Sequence, residues 1–463
     1  MDTSRMSWDV IVVGGGTAGV ISGIAAARLG AKTLIVERSG HLGGNAATGM
    51  NLGGFFDGDD VQVVRGIPQE FVDRAVEFRS GRGHIFFHDV DRWISSTASI
   101  DPEGFKSIAL EKVQAAGCHL WLYTTFARAI AQGNRVEAVE LVTKSGVSRL
   151  AAKVFVDASG DADLAASVGA SFERGGGMRQ QAVTSIFRVH QVDQAAVESF
   201  MQKKINTDGK TPWTFENAPL RASHRYWTPW KIFPDYAERF PRQFGVYYHG
   251  VPGEIFLNCN HTTLALLDPD EITRSTIRLR QQAVEILDFL RRCVPGFGRG
   301  SLTQVYDLGV RESRRIVGDY TLTVEDMVTR REFEDMVAMG AYPPDLHDAH
   351  GGEILISAGG WSKVHLETGI PNNPGYQIPL RCLLPRSIDN LLVAGRCLSA
   401  TFEAQSGARG MGPCSAMGQA AGTAAALAAL QRVSPRALDI REVQQALLKE
   451  GAYLGRRFET GRI

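Results

Sequence analysis

The N-terminal part of the chain alternates between continuous apolar runs and segments of small residues. Residues 8–13 (WDVIVV) predict a buried strand, and the segment GGGTAG that follows predicts a tight turn. The next residues, VISGIAAARLG, predict a helix that ends at Gly30, and KTLIVE predicts a second strand. This strand–turn–helix–strand order is typical of a Rossmann-type nucleotide-binding domain and predicts an α/β fold.

Further along the chain the hydrophobic pattern predicts more strands of the same domain. Residues 135–143 and 149–156 flank a KSG turn and predict a β-hairpin, whose second strand leads into the loop and helix of VDASGDADLAASVGA. Residues 390–395 (NLLVAG) predict another strand, which precedes a helix rich in Ala and Gly. The nucleotide-binding domain is therefore expected to combine separated segments of the chain.

The middle of the chain has a different character. Between residues 172 and 300 glycines are fewer and aromatic residues cluster, and residues 270–293 predict a long amphipathic helix. We interpret this segment as an inserted α+β substrate domain. The predicted division is 1–171 and 301–463 for the two parts of the nucleotide-binding domain, with 172–300 for the insertion.

Composition narrows the class of protein. The 463 residues carry a formal net charge of zero, which gives no electrostatic reason to expect nucleic acid or an anionic membrane as a partner. No apolar run approaches the roughly 18 residues of a membrane span, and the N-terminus does not have the pattern of a secretory signal. Six scattered cysteines without a CxxC pair indicate reduced thiols, so the sequence predicts a soluble cytoplasmic protein.

The first turn carries a glycine motif with a clear physical function. Gly14, Gly16 and Gly19 follow a buried strand and open a helix, and Glu37 ends the next strand. Gly14 makes the tight turn, Gly16 lets the backbone approach a pyrophosphate, and Gly19 lets the helix pack close to the strand. Glu37 can accept hydrogen bonds from ribose hydroxyls and would repel a 2′-phosphate. The motif predicts a dinucleotide.

The residues after Glu37 favour FAD over NAD. Arg38 is followed by the segment SGHLGGNAATG, in which Gly43 and Gly44 form a second glycine pair before Asn45. A second place where the backbone can approach a cofactor closely suits the long, extended FAD better than a nicotinamide dinucleotide. His41 does not match the arrangement of a covalently attached flavin well, so the sequence favours non-covalent FAD.

At this point the chain resembles a known family. VDASGDADL, LGVRESRRIVGDYTLTVEDM, IPLRCLLPRSIDNLLVAGRCLSATFEA and MGQAAGTAAALA are similar to segments of FAD-dependent oxidoreductases of the glutathione-reductase-type fold, related to fumarate reductase flavoproteins. The resemblance implies that Gly160 and Asp161 approach the dinucleotide and that Gly395 and Arg396 lie beside it. The predicted cofactor-binding residues are Gly14, Gly16, Thr17, Ala18, Gly19, Glu37, Arg38, Gly43, Gly44, Asn45, Ala158, Gly160, Asp161, Gly395, Arg396, Gly412, Cys414 and Ser415.

The segment SGARGMGPCSAMGQAAG (406–422) consists mainly of small residues and holds one arginine. Pro413 occupies what we predict to be a first helical position, and the residues after it offer little bulk. The resemblance implies that this helix points its N-terminus, around Gly412–Ser415, at the pyrimidine edge of the isoalloxazine, where its N–H groups stabilise negative charge. The alternative is an ordinary tight helix–helix contact.

Several side chains are candidates for the reacting side of the site. Arg311 could hold an anionic substrate or could belong to an internal salt-bridge network. His249, His261 and His365 are the candidate general acids or bases, because imidazole titrates near neutrality, although a structural role is favoured for each one taken singly. The aromatic segments 224–230 and 247–249 suit either a pocket wall or a domain core. His84, His88, Asp89 and Asp91 lack metal-ligand spacing, and no metal is predicted.

These features predict an FAD-dependent oxidoreductase that transfers a hydride between a small organic substrate and non-covalent FAD, with an unidentified electron acceptor or donor. An FAD-dependent hydroxylase and a tRNA-modifying flavoprotein are alternatives, as is a non-catalytic FAD-stabilised scaffold. A disulfide reductase is disfavoured, because the CxxxxC dithiol and a second nucleotide motif are missing. Arg311, His249 and His365 are the predicted catalytic residues. A homo-oligomer remains an option.

Overall fold

The computed structural model describes residues 7–86, 94–175, 181–204, 245–263, 267–347, 354–356 and 375–459. Within these ranges the helices are α1 (Thr17–Arg28), α2 (Ile67–Glu77), α3 (Pro102–Ala115), α4 (Asp163–Ser167), α5 (Gln194–Lys204), α6 (Pro269–Cys293), α7 (Val324–Val328), α8 (Phe402–Ala408), α9 (Met411–Gln431), α10 (Ile440–Lys449) and α11 (Arg456–Glu459). Single 3₁₀ turns occur at Gly44–Ala47, Leu380–Leu383 and Pro435–Ala437.

The strands are, in chain order, β1 (Trp8–Val13), β2 (Thr33–Val36), β3 (Leu52–Gly53), β4 (Gly81–Phe86), β5 (Ser96–Ile100), β6 (His119–Trp121), β7 (Thr125–Gln132), β8 (Arg135–Thr143), β9 (Gly146–Asp157), β10 (Phe172–Arg174), β11 (Phe187–His190), β12 (Gly245–Tyr247), β13 (Ile255–Asn258), β14 (Ser301–Val305), β15 (Arg314–Ile316), β16 (Met336–Gly340), β17 (Leu346–His347), β18 (Ile354–Ile356), β19 (Tyr376–Pro379) and β20 (Leu391–Val393).

A parallel sheet forms the centre of the fold. Strands β6, β2, β1, β9 and β20 lie side by side in that order and run in the same direction. The first half of β9 also pairs antiparallel with β8, and β8 with β7, which extends the sheet as a meander. The strand–turn–helix–strand unit and the hairpin predicted from the sequence are both confirmed. The observed architecture is a mixed α/β fold with a Rossmann-like parallel sheet.

Helices α1 and α9 cross in direct backbone contact beside this sheet. A Cβ built at Gly418 would lie 2.3 Å from the carbonyl oxygen of Ala18, and one at Gly422 would lie 2.1 Å from that of Ser22. Only glycine allows the two helices to approach this closely. The middle of the small-residue helix therefore makes the tight helix–helix contact that was one of the two sequence interpretations.

A second sheet, separate from the first, is antiparallel and has the order β12–β13–β11–β14. One face of this sheet packs on helix α6 and forms its own hydrophobic cluster, which includes Phe187, Leu257 and Phe289. The other face carries Phe256 and Tyr306, and Met50 from the first part of the chain packs against it. The sheet therefore lies between α6 on one side and Met50 on the other.

Two details differ from the sequence-based expectations. Helix α9 begins at Met411 with Gly410 as its N-cap, so Pro413 is the third helical residue and not the first. Pro413 is tolerated there because the first-turn N–H groups have no partner within the helix. Strand β14 belongs to the second sheet although it follows residue 300, the predicted end of the inserted segment.

Some predicted features lie outside the described residues. They include His365, the aromatic segment 224–230, and His88, Asp89 and Asp91. Among the described residues, no group of three or more His, Cys, Asp or Glu side chains is arranged to hold a metal ion. In the same described part of the chain, no helix has the length and apolar character needed to cross a membrane.

Candidate functional site

A cleft of about 500 Å³ opens at the carboxyl ends of the parallel strands. It is lined by the residues that follow four of these strands: Gly14 after β1, Glu37 after β2, Ala158 after β9 and Gly395 after β20. Ligands of open α/β sheets bind at this edge, because the strand ends and the helix N-termini converge there. The sequence motifs that were predicted separately therefore meet in one place.

The three motif glycines have three different environments. Gly14 has a left-handed φ of +99°, and a Cβ there would lie 2.5 Å from the carbonyl oxygen of Ala158. A Cβ at Gly19 would lie 1.8 Å from the carbonyl oxygen of Gly14. At Gly16, by contrast, a Cβ would meet no atom of the described residues within 4 Å, although this residue lines the cleft. Gly16 thus leaves open the space that a closely approaching ligand needs.

Glu37 and the second glycine pair complete this end of the cleft. The Glu37 carboxylate accepts hydrogen bonds from the backbone N–H groups of Gly15, at 2.7 Å, and Ser39, at 2.8 Å. The N–H of Gly43 donates to the Gly15 carbonyl at 2.8 Å, and the Thr17 hydroxyl donates to the Gly43 carbonyl at 3.0 Å. These bonds hold the second glycine loop against the first.

Most of the other predicted cofactor-binding residues also belong to the cleft wall. The predicted residues that line the cleft are Gly14, Gly16, Thr17, Ala18, Glu37, Arg38, Gly44, Asn45, Ala158, Gly160, Asp161, Gly395, Arg396 and Cys414. The remaining four, Gly19, Gly43, Gly412 and Ser415, are not among the lining residues. Gly19 and Gly43 support the wall from behind through the contacts described above. His41 lines the cleft as well.

An ion pair lies where β9 and β20 end. Arg396 donates to Asp161 at 2.7 Å, and a Cβ at Gly160 would lie 2.8 Å from the Arg396 guanidinium carbon. Burial opposes ionisation of Asp161, but the charge of Arg396 and a hydrogen bond from Ser313 outweigh it and lower the pKa of Asp161. Asp157, four residues earlier in the chain, is fully buried, and burial raises its pKa to about 6. Asp157 orders the loop by accepting bonds from Ser159 and Ala165.

The N-terminus of α9 reaches the cleft through Met411 and Cys414. Its N-cap, Gly410, provides no side-chain acceptor for the first-turn N–H groups. Gly412 instead packs on β3, since its Cβ would lie 2.7 Å from the Gly53 carbonyl oxygen, and the Ser415 hydroxyl donates to the Gly412 carbonyl at 2.6 Å. Met411 and Cys414 therefore face the cleft, whereas Gly412 and Ser415 face the interior of the protein.

A cluster of charged side chains adjoins this end of the cleft. Arg409 lines the cleft, and its guanidinium donates to the carbonyl and the carboxylate of Asp345, at 2.7 Å and 3.3 Å. The imidazole Nε2 of His347 lies 3.1 Å from the same carboxylate. Burial opposes ionisation of Asp345, but the charges of His347 and Arg409 prevail and hold its pKa well below the usual range. The carboxylate is therefore ionised beside an imidazole.

The predicted arginine, Arg311, is buried close to this cluster. It donates to the carbonyl of Ala182, and its own carbonyl accepts a hydrogen bond from Gln405 at 3.2 Å. Its neighbour Glu312 is only 1% exposed. Arg315 lies 3.8 Å from Glu312. Burial raises the pKa of Glu312 to about 7, although the charge of Arg315 acts in the opposite direction.

The two predicted histidines that the structure describes do not line the cleft. His249 is buried, and its ring nitrogens lie 2.9 Å from the Ser99 hydroxyl and 2.9 Å from the Gly49 carbonyl oxygen. Burial lowers the pKa of His249, which favours a neutral ring that joins two parts of the chain. The backbone N–H of His261 donates to Gln282 at 3.0 Å.

Sequence reasoning did not single out Asp345, His347 or Tyr306. Asp345 and His347 are two residues apart in an extended segment, so their side chains share one side, and this Asp-x-His spacing is a signal that could have been read. Tyr306 follows β14 and lines the cleft. Its significance depends on the strand register of the second sheet, which is not visible in the sequence.

The geometry fits a dinucleotide: open space at Gly16, an acidic group at Glu37, and two helices, α1 and α9, whose N-termini lack a side-chain cap.

A geranylgeranyl bacteriochlorophyll reductase-like protein from Thermoplasma acidophilum superposes with a TM-score of 0.46 and 13% identity over 96% of this chain and 84% of its own. The p-nitrophenol 4-monooxygenase of Pseudomonas putida gives 0.47 and 11% over 96% and 84%. The family model for FAD-dependent oxidoreductases matches residues 9–447, so the chain belongs to this family of FAD enzymes.

Proposed function

We propose that the enzyme transfers a hydride between a small organic substrate and non-covalently bound FAD. The observation that carries this proposal is the Asp345–His347 pair, which is attached to the cleft through Arg409. A carboxylate next to an imidazole orients the ring and stabilises its protonated form. Oxidation of an alcohol or an amine requires such a group, because a proton leaves the substrate oxygen or nitrogen when the hydride leaves carbon.

The cleft residues suggest how FAD would be held. The backbone around Gly16 and the N-terminus of α1 would receive the pyrophosphate, and Glu37 would accept hydrogen bonds from the ribose. The first turn of α9, at Met411 and Cys414, would lie at the edge of the flavin ring. Bound FAD would supply a ring that accepts or delivers a hydride, which carries two electrons. Four predicted residues lie behind the cleft wall and would support FAD binding by fixing the conformation of the backbone there: Gly19, Gly43, Gly412 and Ser415.

The protein side chains would then neutralise charge on the substrate and accept its proton. His347 would accept the substrate proton through its ring, with Asp345 fixing the ring and Arg409 fixing Asp345. Arg311 remains the candidate for neutralising an anionic substrate group. The engaged nitrogens of His249 support a structural function for this residue. His365 stays a prediction.

The proposal includes the domain division and the closer relationships predicted from sequence. We propose residues 1–171 and 301–463 as the FAD-binding domain and 172–300 as an inserted substrate domain, with β14 added to the latter. The separate hydrophobic cluster of the second sheet supports this division. A glutathione-reductase-type subclass and a relationship to fumarate reductase flavoproteins belong to the same proposal.

An anaerobic titration tests the function. The purified protein is mixed with a panel of alcohols, amines, unsaturated acids and NAD(P)H, and reduction of the flavin is followed by its loss of absorbance. For a substrate found in this way, His347→Gln should slow flavin reduction by roughly 10²- to 10⁴-fold, the usual contribution of a general acid or base. His190→Gln, at an exposed histidine of β11, is the matched control and should leave the rate unchanged.

Two results would contradict the proposal. If His347→Gln reduced its flavin as fast as the unmodified protein, the Asp345–His347 pair would not handle the substrate proton. If the reduced protein consumed oxygen rapidly and inserted an oxygen atom into the substrate, the enzyme would be a hydroxylase. Release of intact FAD on denaturation, checked by chromatography, controls for loss of cofactor in each variant.

A further inference from the structure

A buried glutamine lies behind the charged cluster at the end of the cleft. Gln181 is 4% exposed, and its side-chain oxygen accepts a hydrogen bond from the backbone N–H of His347 at 3.3 Å. The same oxygen lies 3.5 Å from the Nη2 atom of Arg409, which also donates to the carboxylate of Asp345. One side-chain amide therefore holds both the backbone that carries the imidazole and the guanidinium that fixes its carboxylate.

Gln181 also connects this cluster with a second carboxyl group. Glu312 is only 1% exposed, and hydrogen bonds from the backbone and the side chain of Gln181 stabilise its charged form. The side chain of Gln181 can serve both neighbours, because an amide carries an acceptor oxygen and a donor nitrogen. Its oxygen faces Arg409 and His347, so its nitrogen is the atom that donates towards Glu312.

The positive charge near Glu312 is shared with the cluster. Arg315 lies 3.8 Å from Glu312, and the charge of Arg409 stabilises the carboxylates of both Glu312 and Asp345. Burial raises the pKa of Glu312 to about 7, against the charges of Arg315 and Arg409, so this carboxyl changes its charge in the pH range in which an imidazole titrates. When it ionises, Glu312 attracts the same guanidinium that balances Asp345.

The other groups that face Asp345 keep a constant charge. Arg311 is a further cation beside this carboxylate, and a guanidinium stays protonated at every pH at which the protein is folded. Burial raises the pKa of Tyr342 well above its usual value, so its hydroxyl stays neutral next to Asp345. Glu312 and His347 are therefore the two members of this set whose charge changes near neutral pH.

We propose that Gln181 and Glu312 are positioning residues for the proton transfer at His347. Gln181 fixes Arg409 and the His347 backbone, and the charge of Glu312 sets how firmly the imidazole holds its proton. A negative Glu312 weakens the hold of Arg409 on Asp345, which leaves more negative charge beside the ring and favours its protonated form. This inference rests on the proposed function. Neither residue lines the cleft, so both act through their neighbours and not on the substrate.

Titration of His347 in the resting, FAD-loaded protein tests this coupling without requiring turnover. The histidine rings are labelled with nitrogen-15 and followed by NMR as the pH is varied, and the His347 signal is identified by its loss in His347→Gln. Glu312→Gln should lower the pKa of His347 by roughly half a unit to one unit, because a neutral amide replaces a charge that favours the protonated ring. This variant is expected to fold, since it removes a buried charge.

Two further variants separate the charge from the bridge. Glu173→Gln is the matched control, because Glu173 contacts the same Arg315 at 3.3 Å from an exposed position, and it should leave the pKa of His347 unchanged. Gln181→Met keeps the length of the side chain but has no amide. In the Gln181→Met background, the shift caused by Glu312→Gln should fall to less than half.

The pH dependence of flavin reduction gives a second readout once a substrate is known. The rate should rise with pH as His347 loses its proton, since only the neutral ring can accept the substrate proton. Glu312→Gln should move this rise to lower pH by the same amount as in the NMR titration. The affinity for FAD should stay unchanged.

Three results would overturn the coupling. The first is an unchanged His347 titration in Glu312→Gln, and the second is an equal shift in Glu173→Gln. The third is a shift of the same size with and without Gln181→Met, since the amide would then not connect the two groups. If the titration of His347 shifts as expected but His347→Gln reduces its flavin at the normal rate, the coupling stands and the proposed proton transfer fails.

Discussion

The two walls of the cleft are built on opposite principles. The wall at the parallel sheet is made from backbone: Gly14, Gly16 and Gly19 lie within one turn, and each has its place because it lacks a side chain. The other wall is made from side chains such as Tyr306 and Arg409, which are far apart in the chain. Recognition by backbone leaves a spacing pattern in the sequence, whereas recognition by side chains depends on which strands become neighbours.

The difference also predicts how each wall responds to substitution. The backbone wall tolerates no added atom, since the space is filled either by the protein or by the ligand. The side-chain wall can lose a polar atom and keep its shape, so a substitution there changes affinity or rate more than folding.

The largest expected effect separates two glycines of the same motif. Gly19→Val should destabilise the protein by several kcal/mol, because its Cβ would lie 1.8 Å from the Gly14 carbonyl oxygen and the helix would have to move. Gly16→Val should fold with a nearly normal Tm of the cofactor-free protein, because its Cβ has no atom of the described part of the chain within 4 Å, but should not bind FAD. Thermal unfolding and FAD titration measure the two effects. A Gly16→Val protein that binds FAD normally would contradict the position assigned to the dinucleotide.

The next effect concerns the buried carboxyl group of Glu312. Burial raises its pKa from the usual 4.5 to about 7, so the folded protein holds a proton that the unfolded chain releases. Glu312 therefore makes the free energy of unfolding fall as the pH rises from about 4.5 through 7, by about 2–3 kcal/mol between pH 5 and pH 8.

Denaturant unfolding at a series of pH values measures this dependence. Glu312→Gln should flatten it and should be the more stable protein at pH 8, because the amide carries no charge to bury. Glu173→Gln is the control, since Glu173 contacts the same Arg315 from an exposed position. If both variants changed the pH dependence equally, the effect would belong to Arg315 and not to the burial of Glu312.

The contrast explains what the sequence could predict. The β1–α1–β2 unit, the hairpin of β8 and β9, and the strand that leads into α9 were all predicted, because apolar runs and glycine turns specify them locally. The start of α9 was misplaced by two residues, because the N-cap Gly410 carries no capping side chain to mark it. Asp345 and His347 share a local Asp-x-His spacing that was not recognised, but Arg409 reaches them only through tertiary folding.

The histidines are a second example of site residues that the sequence alone could not identify. His249 is a candidate in the sequence because imidazole titrates near neutrality, but both of its ring nitrogens are engaged by Ser99 and Gly49. In the sequence, His347 differs from His249 only by its Asp-x-His spacing with Asp345. Only the carboxylate of Asp345, 3.1 Å away and fixed by Arg409, distinguishes it.

A smaller effect tests the ribose end of the backbone wall. Glu37→Gln should weaken FAD binding by roughly 1–3 kcal/mol, because a charge-assisted hydrogen bond becomes a neutral one. In the unmodified protein both oxygens of the Glu37 carboxylate accept hydrogen bonds, from the N–H groups of Gly15 and Ser39. Glutamine keeps only one oxygen, so part of the lost affinity would come from a less ordered loop. Equilibrium titration with FAD, and with AMP as the adenosine half alone, separates the two contributions. An unchanged affinity for both ligands would place the ribose away from Glu37.

The smallest effect concerns the first turn of α9. A helix N-terminus carries about half a positive charge and should favour the anionic reduced flavin by roughly 1–2 kcal/mol in a partly buried site. Ser415 is a poor position for testing this, because it is buried and its hydroxyl is bound to the Gly412 carbonyl. Cys414 lines the cleft, and burial raises the pKa of its thiol to about 12, so it is neutral.

Cys414→Asp would place a negative charge at this N-terminus, and Cys414→Asn would introduce a side chain of the same size without the charge. A two-electron couple converts about 1.4 kcal/mol into roughly 30 mV, so the aspartate should lower the flavin reduction potential by a few tens of millivolts relative to the asparagine. Dye-equilibration titration of the two FAD-loaded variants measures the difference. Equal potentials in two proteins that both retain FAD would mean that this turn does not face the ring. The small residues of α9 would then serve only its contact with α1.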